Sequence, residues 1–336
     1  MNNPPKILVA RAIFPDILDQ LAQHFQVDSN QEDRIWPRQT FIEKLQATNG
    51  VLTTTSERID AELLAACPDL CICSNMAVGF DNFDVDAMTS AGVLGTNAPN
   101  TMTETTADLA FVLLMVATRK VNASERFLRD GRWNKWHYEM FSGSDVHGTT
   151  LGVIGMGRVG QAIARRGVHG FGMNLLYTDR QRIAGTLEKE LGASFVTKDM
   201  LLREADHVVL SIPYSVASHH TIGAVELSMM KRTATLVNIS RGGIVDDAAL
   251  AIALREGLIA GAGLDVFEGE PRVHVDLLSA PNLVLTPHIG SASAKTRHAM
   301  AQLAADNLID YLVHGNAKTS VNTVAQPRWH ARAPHA

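Results

Sequence analysis

TTLGVIGMGRVGQAIA, the sequence of residues 149–164, contains an apolar run, three glycines at the spacing G-x-G-x-x-G, and the start of a helical pattern. The run of residues 151–154 predicts a buried strand. Gly155 permits a tight turn after that strand, Gly157 lets a pyrophosphate approach the backbone, and Gly160 lets helix and strand pack closely. An anion placed there meets the free N–H groups and the positive dipole end of the helix. The stretch therefore predicts a dinucleotide-binding strand–turn–helix unit.

An acidic residue follows the next apolar run, at the distance expected in a dinucleotide-binding fold. Asp179 comes after the run of residues 173–177, about 20 residues beyond Gly160. A carboxylate at this place accepts hydrogen bonds from the adenosine ribose hydroxyls and repels a 2′-phosphate, which favours NAD(H). Arg180 and Arg182 have the opposite effect, because either guanidinium pairs well with that phosphate. We expect a preference for NAD(H) over NADP(H), with use of both cofactors as the alternative.

Length and composition describe an ordinary globular protein with two domains. The chain has 336 residues, of which 46% are hydrophobic and 19% are charged, and its formal net charge is −5. This length exceeds that of one typical core, and the lack of a basic stripe argues against nucleic acid as a partner. Cys67, Cys71 and Cys73 lack the paired spacing of a zinc or redox motif, so we interpret them as buried thiols in a reducing cytosol. Because we find no signal segment and no apolar run of membrane length, we expect a cytoplasmic protein that does not bind membranes.

Short apolar runs alternate with helical patterns in two parts of the chain, before residue 98 and after residue 149. Such alternation is typical of parallel sheets covered by helices on both faces, so the expected fold class is α/β, with two doubly wound sheets. Residues 101–129 lie between the two parts and predict one long, largely apolar helix at a domain or subunit interface. Trp133 and Trp136 follow it, and we interpret them either as packing residues or as an arm that reaches a neighbouring subunit.

Three polar segments follow predicted strands beyond the glycine loop, namely residues 238–243, 265–271 and 286–291. In open α/β sheets, ligands bind at the carboxyl ends of the strands. A histidine such as His288 suits proton donation to a carbonyl that receives hydride, and a carboxylate such as Glu270 orients the ring and favours its protonated form. The fork of Arg241 holds a substrate carboxylate and polarises the ketone. Taken singly, each residue also has a structural interpretation, as a loop histidine, a solvated carboxylate and a surface ion pair.

Several longer motifs carry a resemblance to a known family. They are residues 78–84 (VGFDNFD), 240–246 (SRGGIVD), 263–271 (GLDVFEGEP) and 286–292 (TPHIGSA). Together with the glycine loop, and in this order, they resemble the D-isomer-specific 2-hydroxyacid dehydrogenase family over nearly the whole chain. The resemblance is greatest to the bacterial glyoxylate/hydroxypyruvate reductases, a branch that also includes the 2-ketogluconate reductases.

The resemblance implies a Rossmann NAD(P)-binding domain that is inserted into a flavodoxin-like, substrate-binding domain. The substrate-binding (catalytic) domain would be discontinuous, with residues 1–100 and 291–325, and residues 101–290 would form the dinucleotide-binding domain. Residues 326–336 are rich in Pro, Arg and His, and we expect them to form a disordered tail. The resemblance also implies a homodimer, in which Trp136 reaches across to the active site of the partner.

The resemblance assigns roles to individual residues. It implies that Arg241 binds the substrate, that Glu270 is the carboxylate partner of the acid/base His288, and that no metal is required. The backbone of Val78 and Gly79 would hold the substrate carboxylate. The implied cofactor contacts are Thr106, Gly155, Gly157, Arg158, Val159, Gly160, Asp179, Arg180, Pro213, Ile239, Ser240, Arg241, Asp265, His288 and Gly290.

The implied reaction is the NAD(P)H-dependent reduction of a small 2-oxo acid to the D-2-hydroxy acid, with hydride from the nicotinamide and a proton from His288. Glyoxylate, hydroxypyruvate and 2-ketogluconate are the expected substrates. Formate dehydrogenase is set aside because it has glutamine where Glu270 stands, and phosphoglycerate dehydrogenase because the chain has no room for a further regulatory domain. A D-lactate dehydrogenase and an NAD-sensing, corepressor-like binding protein remain as alternatives.

Overall fold

The computed structural model describes residues 4–329. The chain divides into two compact units, each with its own parallel sheet. The first, which we name the flanking unit, contains the chain up to Met102 and again from Ser293 onward. The second, the central unit, is Thr103–Ala292. In the order of the sequence, the central unit is therefore an insertion into the flanking unit.

The flanking unit is a five-stranded parallel sheet with helices on both faces. Its strands are β1 (Lys6–Val9), β2 (Gln26–Ser29), β3 (Gly50–Thr53), β4 (Ile72–Asn75) and β5 (Leu94–Thr96). Its helices are α1 (Pro15–Ala22), α2 (Arg38–Leu45), α3 (Ala61–Ala66), α4 (Val85–Ser90) and, near the end of the chain, α13 (Ala294–His314). The strand order is β2-β1-β3-β4-β5, the doubly wound order of flavodoxin-like folds.

The inner strands of this sheet are apolar because helices cover both of their faces. Leu8 is fully buried and pairs in parallel register with Val51 of β3. Leu308 and Leu312 of α13 pack closely on Gly50, since a Cβ there would lie 3.1 Å from the first and 3.2 Å from the second. Helix α13 therefore completes the core of a sheet whose strands come from the beginning of the chain.

The central unit is a seven-stranded parallel sheet, again with helices on both faces. Its strands are β6 (Thr150–Ile154), β7 (Asn174–Thr178), β8 (Ala193–Phe195), β9 (His207–Leu210), β10 (Thr235–Asn238), β11 (Gly261–Leu264) and β12 (Leu283–Leu285). Its helices are α5 (Thr103–Thr118), α6 (Val121–Arg129), α7 (Arg158–Arg165), α8 (Gly185–Leu191), α9 (Lys198–Glu204), α10 (Ala224–Met229), α11 (Asp247–Arg255) and α12 (Val275–Ser279). The strand order, β12-β11-β10-β9-β6-β7-β8, is the Rossmann order with one further edge strand. The two sheets confirm the predicted α/β class.

The order of the central sheet reverses at β6, which pairs with β7 on one side and with β9 on the other. Successive connections therefore leave β6 in opposite directions along the sheet. The crevice at such a switch point is where ligands bind in open α/β folds. Residues 155–160 follow β6 and residues 211–220 follow β9, so these two loops border the crevice.

The single long helix predicted over residues 101–129 is wrong. Helix α5 ends at Thr118, and α6 begins at Val121 after Lys120, whose φ of 53° is left-handed and incompatible with a continuous helix. Apolar residues continue across the break, so periodicity alone does not reveal it. The sequence prediction also lacks β2, β5 and α2. Each is short, and β2 is polar at three of its four positions, which hides the apolar signal of a strand.

The predicted disordered tail from residue 326 is wrong for the part that the structure describes. The half-buried guanidinium of Arg328 donates hydrogen bonds of 2.6–3.2 Å to four backbone carbonyl oxygens, those of Leu64, Cys67, Leu70 and Ala91. Trp329 Nε1 donates to the carbonyl oxygen of Leu312 at 3.1 Å. A charged residue promotes disorder only where it lacks partners, and these carbonyls supply them. Residues 330–336 of the predicted tail lie outside the described residues.

The three cysteines are free and buried. Burial raises the pKa of the Cys71 thiol to about 11, so this thiol is protonated and unreactive at neutral pH. Across residues 4–329, the structure contains no helix with the length and apolar character needed to cross a membrane.

Candidate active site

The glycine loop after β6 is tightly packed on one side and open on the other. Gly155 has a φ of +96°, and a Cβ on it would lie 2.4 Å from the carbonyl oxygen of Ser211. A Cβ on Gly160 would lie 2.0 Å from the carbonyl oxygen of Gly155, so only glycine lets α7 approach the loop. A Cβ on Gly157, which caps α7, would meet nothing within 4 Å. This open side faces unpaired N–H groups of a helix N-terminus, so the loop fits the pyrophosphate of a dinucleotide.

Asp179 stands directly after β7, beside the glycine loop. Its carboxylate accepts hydrogen bonds from the backbone N–H groups of Met156 and Arg180, each at 2.6 Å. Arg182 points elsewhere, because Glu188 of α8 holds its guanidinium through two contacts of 2.7 Å. The charged group that is fixed against the glycine loop is therefore a carboxylate, while one of the two nearby arginines already has an acidic partner.

His288, in the loop after β12, is paired with Glu270. Its Nδ1 lies 2.8 Å from Glu270 Oε2. The backbone at His288 has a left-handed φ of 52°, and its N–H is held by the carbonyl oxygens of Asp265 at 2.9 Å and Thr286 at 3.0 Å. Strained backbone that is held in this way is common at functional sites. Within residues 4–329, Nε2 of His288 has no hydrogen-bond partner, so it is available to an external proton acceptor.

Glu270 interacts with two basic side chains. Burial raises the pKa of Glu270, but hydrogen bonds from His288 and the Phe267 N–H, with the charges of His288 and Arg241, outweigh burial. The pKa of Glu270 therefore lies below its ordinary value of 4.5. Arg241 lies in the loop after β10 and donates from Nη1 to the carbonyl oxygen of Ser240 at 2.8 Å. At neutral pH Glu270 is thus a carboxylate that accepts a hydrogen bond from the neighbouring imidazole.

A buried aspartate at the end of β11 orients the loop that carries His288. Asp265 is 1% exposed. Its Oδ1 accepts hydrogen bonds from the Thr286 hydroxyl at 2.7 Å and the Ile289 N–H at 2.8 Å, and its Oδ2 accepts one from the Gly290 N–H at 2.8 Å. Burial raises the pKa of Asp265, although these hydrogen bonds oppose the shift. The carboxylate predicted to contact the cofactor is therefore engaged in holding the loop that carries His288.

The other predicted cofactor residues lie close to the same strand ends. Ser240 Oγ donates to the carbonyl oxygen of Leu210 at 2.7 Å and accepts from the Ile212 N–H at 3.2 Å, which ties the ends of β10 and β9 together. Thr106 of α5 donates to the carbonyl oxygen of Gly290 at 3.1 Å. The remaining members differ in exposure: Arg158, Arg180 and Pro213 are exposed, Val159 is half-buried, and Ile239 is buried. Because the strands are parallel, the loops that follow them share one edge of the central sheet.

The predicted backbone cradle lies in the flanking unit, in the loop after β4. Asn97 Nδ2 donates to the carbonyl oxygen of Val78 at 2.7 Å, and Asn75 Nδ2 donates to that of Gly79 at 2.9 Å. The N–H groups of Val78 and Gly79 have no hydrogen-bond partner in the described part of the chain. With the carbonyls engaged and the N–H groups unpaired, the loop suits an anionic group such as a carboxylate.

Sequence reasoning missed Asn75 and Asn97, although both lie at the carboxyl ends of neighbouring strands. Asn75 is fully buried and also donates to Asn82 Oδ1 at 3.1 Å. Asn82 in turn donates to the carbonyl oxygens of Thr54 at 3.0 Å and Glu57 at 2.8 Å. The signal in the sequence was an amide directly after each of two apolar strands, at the edge where ligands bind.

The segment after α6 leaves large aromatic side chains uncovered. Trp136 is 70% exposed and Tyr138 is 88% exposed, and their rings meet edge to face at 5.9 Å. Trp133 and, on α6, Val121 and Leu128 are exposed as well. Exposed surface that is rich in aromatic and aliphatic side chains is typical of sites where another molecule binds.

Known proteins have sequences similar to that of this chain. The family model described as "D-isomer specific 2-hydroxyacid dehydrogenase, NAD binding domain" matches residues 111–290. The chain is 48% identical over 311 residues to a glyoxylate reductase from Thermococcus onnurineus, with 91% of this chain and 92% of the relative covered. It is 46% identical over 311 residues to a glyoxylate reductase from Thermococcus kodakarensis, with 91% and 93% covered.

A solved structure shows the same fold. An NADPH-dependent glyoxylate/hydroxypyruvate reductase from Sinorhizobium meliloti, in complex with NADP and malonate, matches with a TM-score of 0.82 and 35% identity. The match covers 99% of this chain and 100% of that one. The similarity therefore extends over both the flanking and the central unit.

Proposed function

Because the chain belongs to the D-isomer-specific 2-hydroxyacid dehydrogenase family, we propose that it reduces a small 2-oxo acid to the D-2-hydroxy acid. The membership confirms the resemblance seen in the sequence motifs. In this assignment, the flanking unit is the substrate-binding domain and the central unit is the dinucleotide-binding domain. The first part of the flanking unit ends at Met102, and its second part begins at Ser293.

One observation carries the proposal, the contact of 2.8 Å between His288 Nδ1 and Glu270 Oε2. Glu270 is ionised at neutral pH, and its contact with Nδ1 fixes the orientation of the ring. His288 then donates the proton on Nε2 to the oxygen of the reacting carbonyl. When the D-2-hydroxy acid is oxidised, Nε2 of His288 accepts the proton of its hydroxyl group.

The remaining residues bind and orient the reactants. We assign Arg241 to substrate binding, since its guanidinium is a donor for an anion. Within the flanking unit, we assign the backbone N–H groups of Val78 and Gly79 to the substrate carboxylate. The open side of Gly157 and the N-terminus of α7 are the place for the pyrophosphate of the cofactor. A reduced nicotinamide, when bound, supplies the hydride that the carbonyl carbon accepts.

The names of the relatives support glyoxylate and hydroxypyruvate as the substrates to test first. The Thermococcus relatives are glyoxylate reductases, and the Sinorhizobium meliloti enzyme is a glyoxylate/hydroxypyruvate reductase. The test is a panel of glyoxylate, hydroxypyruvate, pyruvate and 2-ketogluconate, each with NADH and with NADPH. The absorbance of the reduced nicotinamide measures the rate. The expected result is the highest kcat/KM for glyoxylate or hydroxypyruvate, and a D-product wherever the product is chiral. A preference for pyruvate would favour a D-lactate dehydrogenase, and no turnover with any acid would favour a binding role.

For the cofactor we propose a preference for NADH over NADPH. Asp179 places a negative charge against the glycine loop, whereas Arg182 is already paired with Glu188. The Asp179 carboxylate is therefore the group best placed to meet a ribose 2′-phosphate, and it would repel that phosphate. The test compares kcat/KM for NADH and NADPH in the wild type and in Asp179→Asn. The substitution should shift the ratio towards NADPH, whereas Asp199→Asn, an exposed aspartate on α9, should leave it unchanged. A wild-type preference for NADPH would contradict the proposal.

We further propose that the protein is a homodimer in the cytoplasm. The exposed apolar residues of α6 and the aromatic arm with Trp136 favour a second copy as their cover. The free thiols suit a reducing compartment. Light scattering after size exclusion should give twice the mass of one chain, and Leu128→Asp should shift the protein towards the monomer. A monomeric wild type would contradict the assignment of Trp136 to a partner.

A further inference from the structure

Two histidines and one glutamate form a group outside the residues assigned to substrate and cofactor. His219 and His220 belong to the loop after β9, and Glu268 belongs to the loop after β11. One nitrogen or oxygen atom from each side chain lies within 4.8 Å of the other two. We propose that this group, the His–His–Glu cluster, binds a divalent transition-metal ion, for which Zn²⁺ is the probe.

The distances in the cluster are close to those of a coordination shell. His220 Nε2 lies 3.0 Å from Glu268 Oε2, and His219 Nε2 lies 4.0 Å from Glu268 Oε1. Two ligand atoms on one Zn²⁺ are about 3–4 Å apart, because each metal–ligand bond is ~2.0–2.2 Å long. The histidine rings are stacked with their centroids 3.8 Å apart, so both rings must rotate to aim their nitrogens at one ion. The three side chains are 35–47% exposed, which leaves them room to rotate on the solvent side.

The groups behind the rings match the outer shell of a metal site. His219 Nδ1 lies 3.3 Å from the Tyr214 hydroxyl, and His220 Nδ1 lies 3.8 Å from Asp246 Oδ2. In metal sites the second nitrogen of a ligating histidine bonds to a partner of this type, which orients the ring and leaves the other nitrogen to the ion. Two imidazoles and one carboxylate suit Zn²⁺ and its transition-metal neighbours, whereas Mg²⁺ and Ca²⁺ prefer oxygen ligands throughout.

A metal ion at this cluster would reinforce contacts that already join three loops of the central unit. A Cβ on Gly242, next to Arg241, would lie 1.8 Å from the carbonyl oxygen of Phe267, and the Glu268 N–H donates to Asp247 Oδ2 at 3.1 Å, so the loops after β10 and β11 are in contact. The loop after β9 contacts both, since the His220 N–H donates to the carbonyl oxygen of Gly243 at 2.7 Å and His220 Nε2 lies 3.0 Å from Glu268 Oε2. The ion would hold these three loops together two residues from Glu270. We expect bound Zn²⁺ to raise the temperature of thermal unfolding of the protein.

The experiment uses the full chain, freed of metal with a chelator, and titrates it with Zn²⁺ and, separately, with Mg²⁺ by calorimetry. Saturable binding of Zn²⁺ to the cluster and a rise in Tm are expected, with neither effect from Mg²⁺. His219→Ala, His220→Ala and Glu268→Gln should each weaken this binding at least about tenfold, and Tyr214→Phe should weaken it less. Thermal unfolding in the presence of chelator verifies that each variant is folded.

Two further variants serve as controls. His147→Ala removes an exposed histidine elsewhere in the central unit and should leave binding unchanged. His288→Ala removes the other imidazole that is paired with a carboxylate, and it should also leave binding at the cluster unchanged. Loss of binding in His288→Ala alone would assign the ion to the catalytic pair and overturn the proposal. So would wild-type affinity in all three cluster variants, or no saturable binding at all. Since the measurement is metal binding, none of these results alters the proposed reduction of 2-oxo acids.

Discussion

The cradle of the flanking unit and the loops of the central unit that carry His288 and Glu270 are built from different chemical groups. In the cradle, the N–H groups of Val78 and Gly79 have no hydrogen-bond partner among residues 4–329, and asparagine amides hold the loop in place. In the loops of the central unit, the contact is between two side chains, His288 and Glu270, each from a different strand end. Under the proposed function, the first arrangement would bind an anion through backbone groups that do not titrate, and the second would depend on transfer of a proton.

This difference predicts different sensitivities to mutation. Backbone recognition tolerates changes in the side chain of Val78 but depends on residues that hold the loop, such as Asn97. Side-chain chemistry depends directly on single atoms of His288. Substitutions in the central unit should therefore lower kcat most, and substitutions around the cradle should act mainly on KM for the 2-oxo acid.

The largest effect is expected for His288→Ala. Loss of the proton donor should lower kcat by roughly 10²–10⁴-fold, because general acid catalysis contributes about that much. The dissociation constant of NADH, measured by fluorescence titration, should change little, since the glycine loop is distant in sequence and intact. His314→Ala, an exposed histidine of α13, is the matched control. Near-normal turnover of His288→Ala would remove this residue from the mechanism.

A smaller effect is expected for Glu270→Gln. The charged hydrogen bond to His288 is worth about 1.5–3 kcal/mol, so kcat/KM should fall by roughly 10–100-fold. Because the pKa of Glu270 lies below 4.5, this carboxylate is ionised at neutral pH in the wild type. Its protonation therefore lowers activity only when the pH falls below that value. In the variant this loss of activity at low pH should disappear, because the amide of glutamine does not titrate in that range. A pH profile identical to that of the wild type would show that Glu270 does not act through His288.

Around the cradle, Asn97→Ala and Asn75→Ala should each raise KM for the 2-oxo acid by about tenfold, because loss of the hydrogen bond to a partly buried carbonyl of the cradle costs about 1–1.5 kcal/mol. KM for the cofactor should stay the same. Val78→Ala, which keeps the backbone, and Asn316→Ala, an exposed asparagine after α13, should behave as the wild type. If the asparagine variants instead affect only kcat, or Val78→Ala affects KM as strongly, the cradle is not the carboxylate site.

The smallest effect on catalysis is expected for Arg328→Ala, because this residue supports the fold of the flanking unit alone. Its loss leaves four carbonyl oxygens without their charged donor, which should cost about 2 kcal/mol of unfolding free energy. Tm in a thermal scan should fall by about 5 °C, while kcat/KM at room temperature stays unchanged. An unchanged Tm would show that the end of the chain is not part of the folded unit in solution.

How much of the site is predictable depends on how far apart its parts lie in the sequence. The turn at Gly155 was predictable because it requires glycine, and a glycine at a fixed spacing is visible in the sequence. The requirement comes from the φ of +96° and from the close approach of Ser211. The amide contacts of Asn75 and Asn97 were not, because an asparagine after a strand has many possible partners. The contact of Arg328 was also missed, since its partners lie more than 200 residues earlier in the chain.

The α/β class, the dinucleotide loop and the family follow from the sequence alone, because each depends on local periodicity or on residues at fixed short spacing. The candidate catalytic residues also come from motifs, although their roles stay proposals. Only the folded chain establishes that Asp265 holds the His288 loop and that His219 and His220 meet Glu268. These contacts join residues from different strand ends or helices, and which ends become neighbours is set by the packing order of the strands, which no short stretch of sequence specifies.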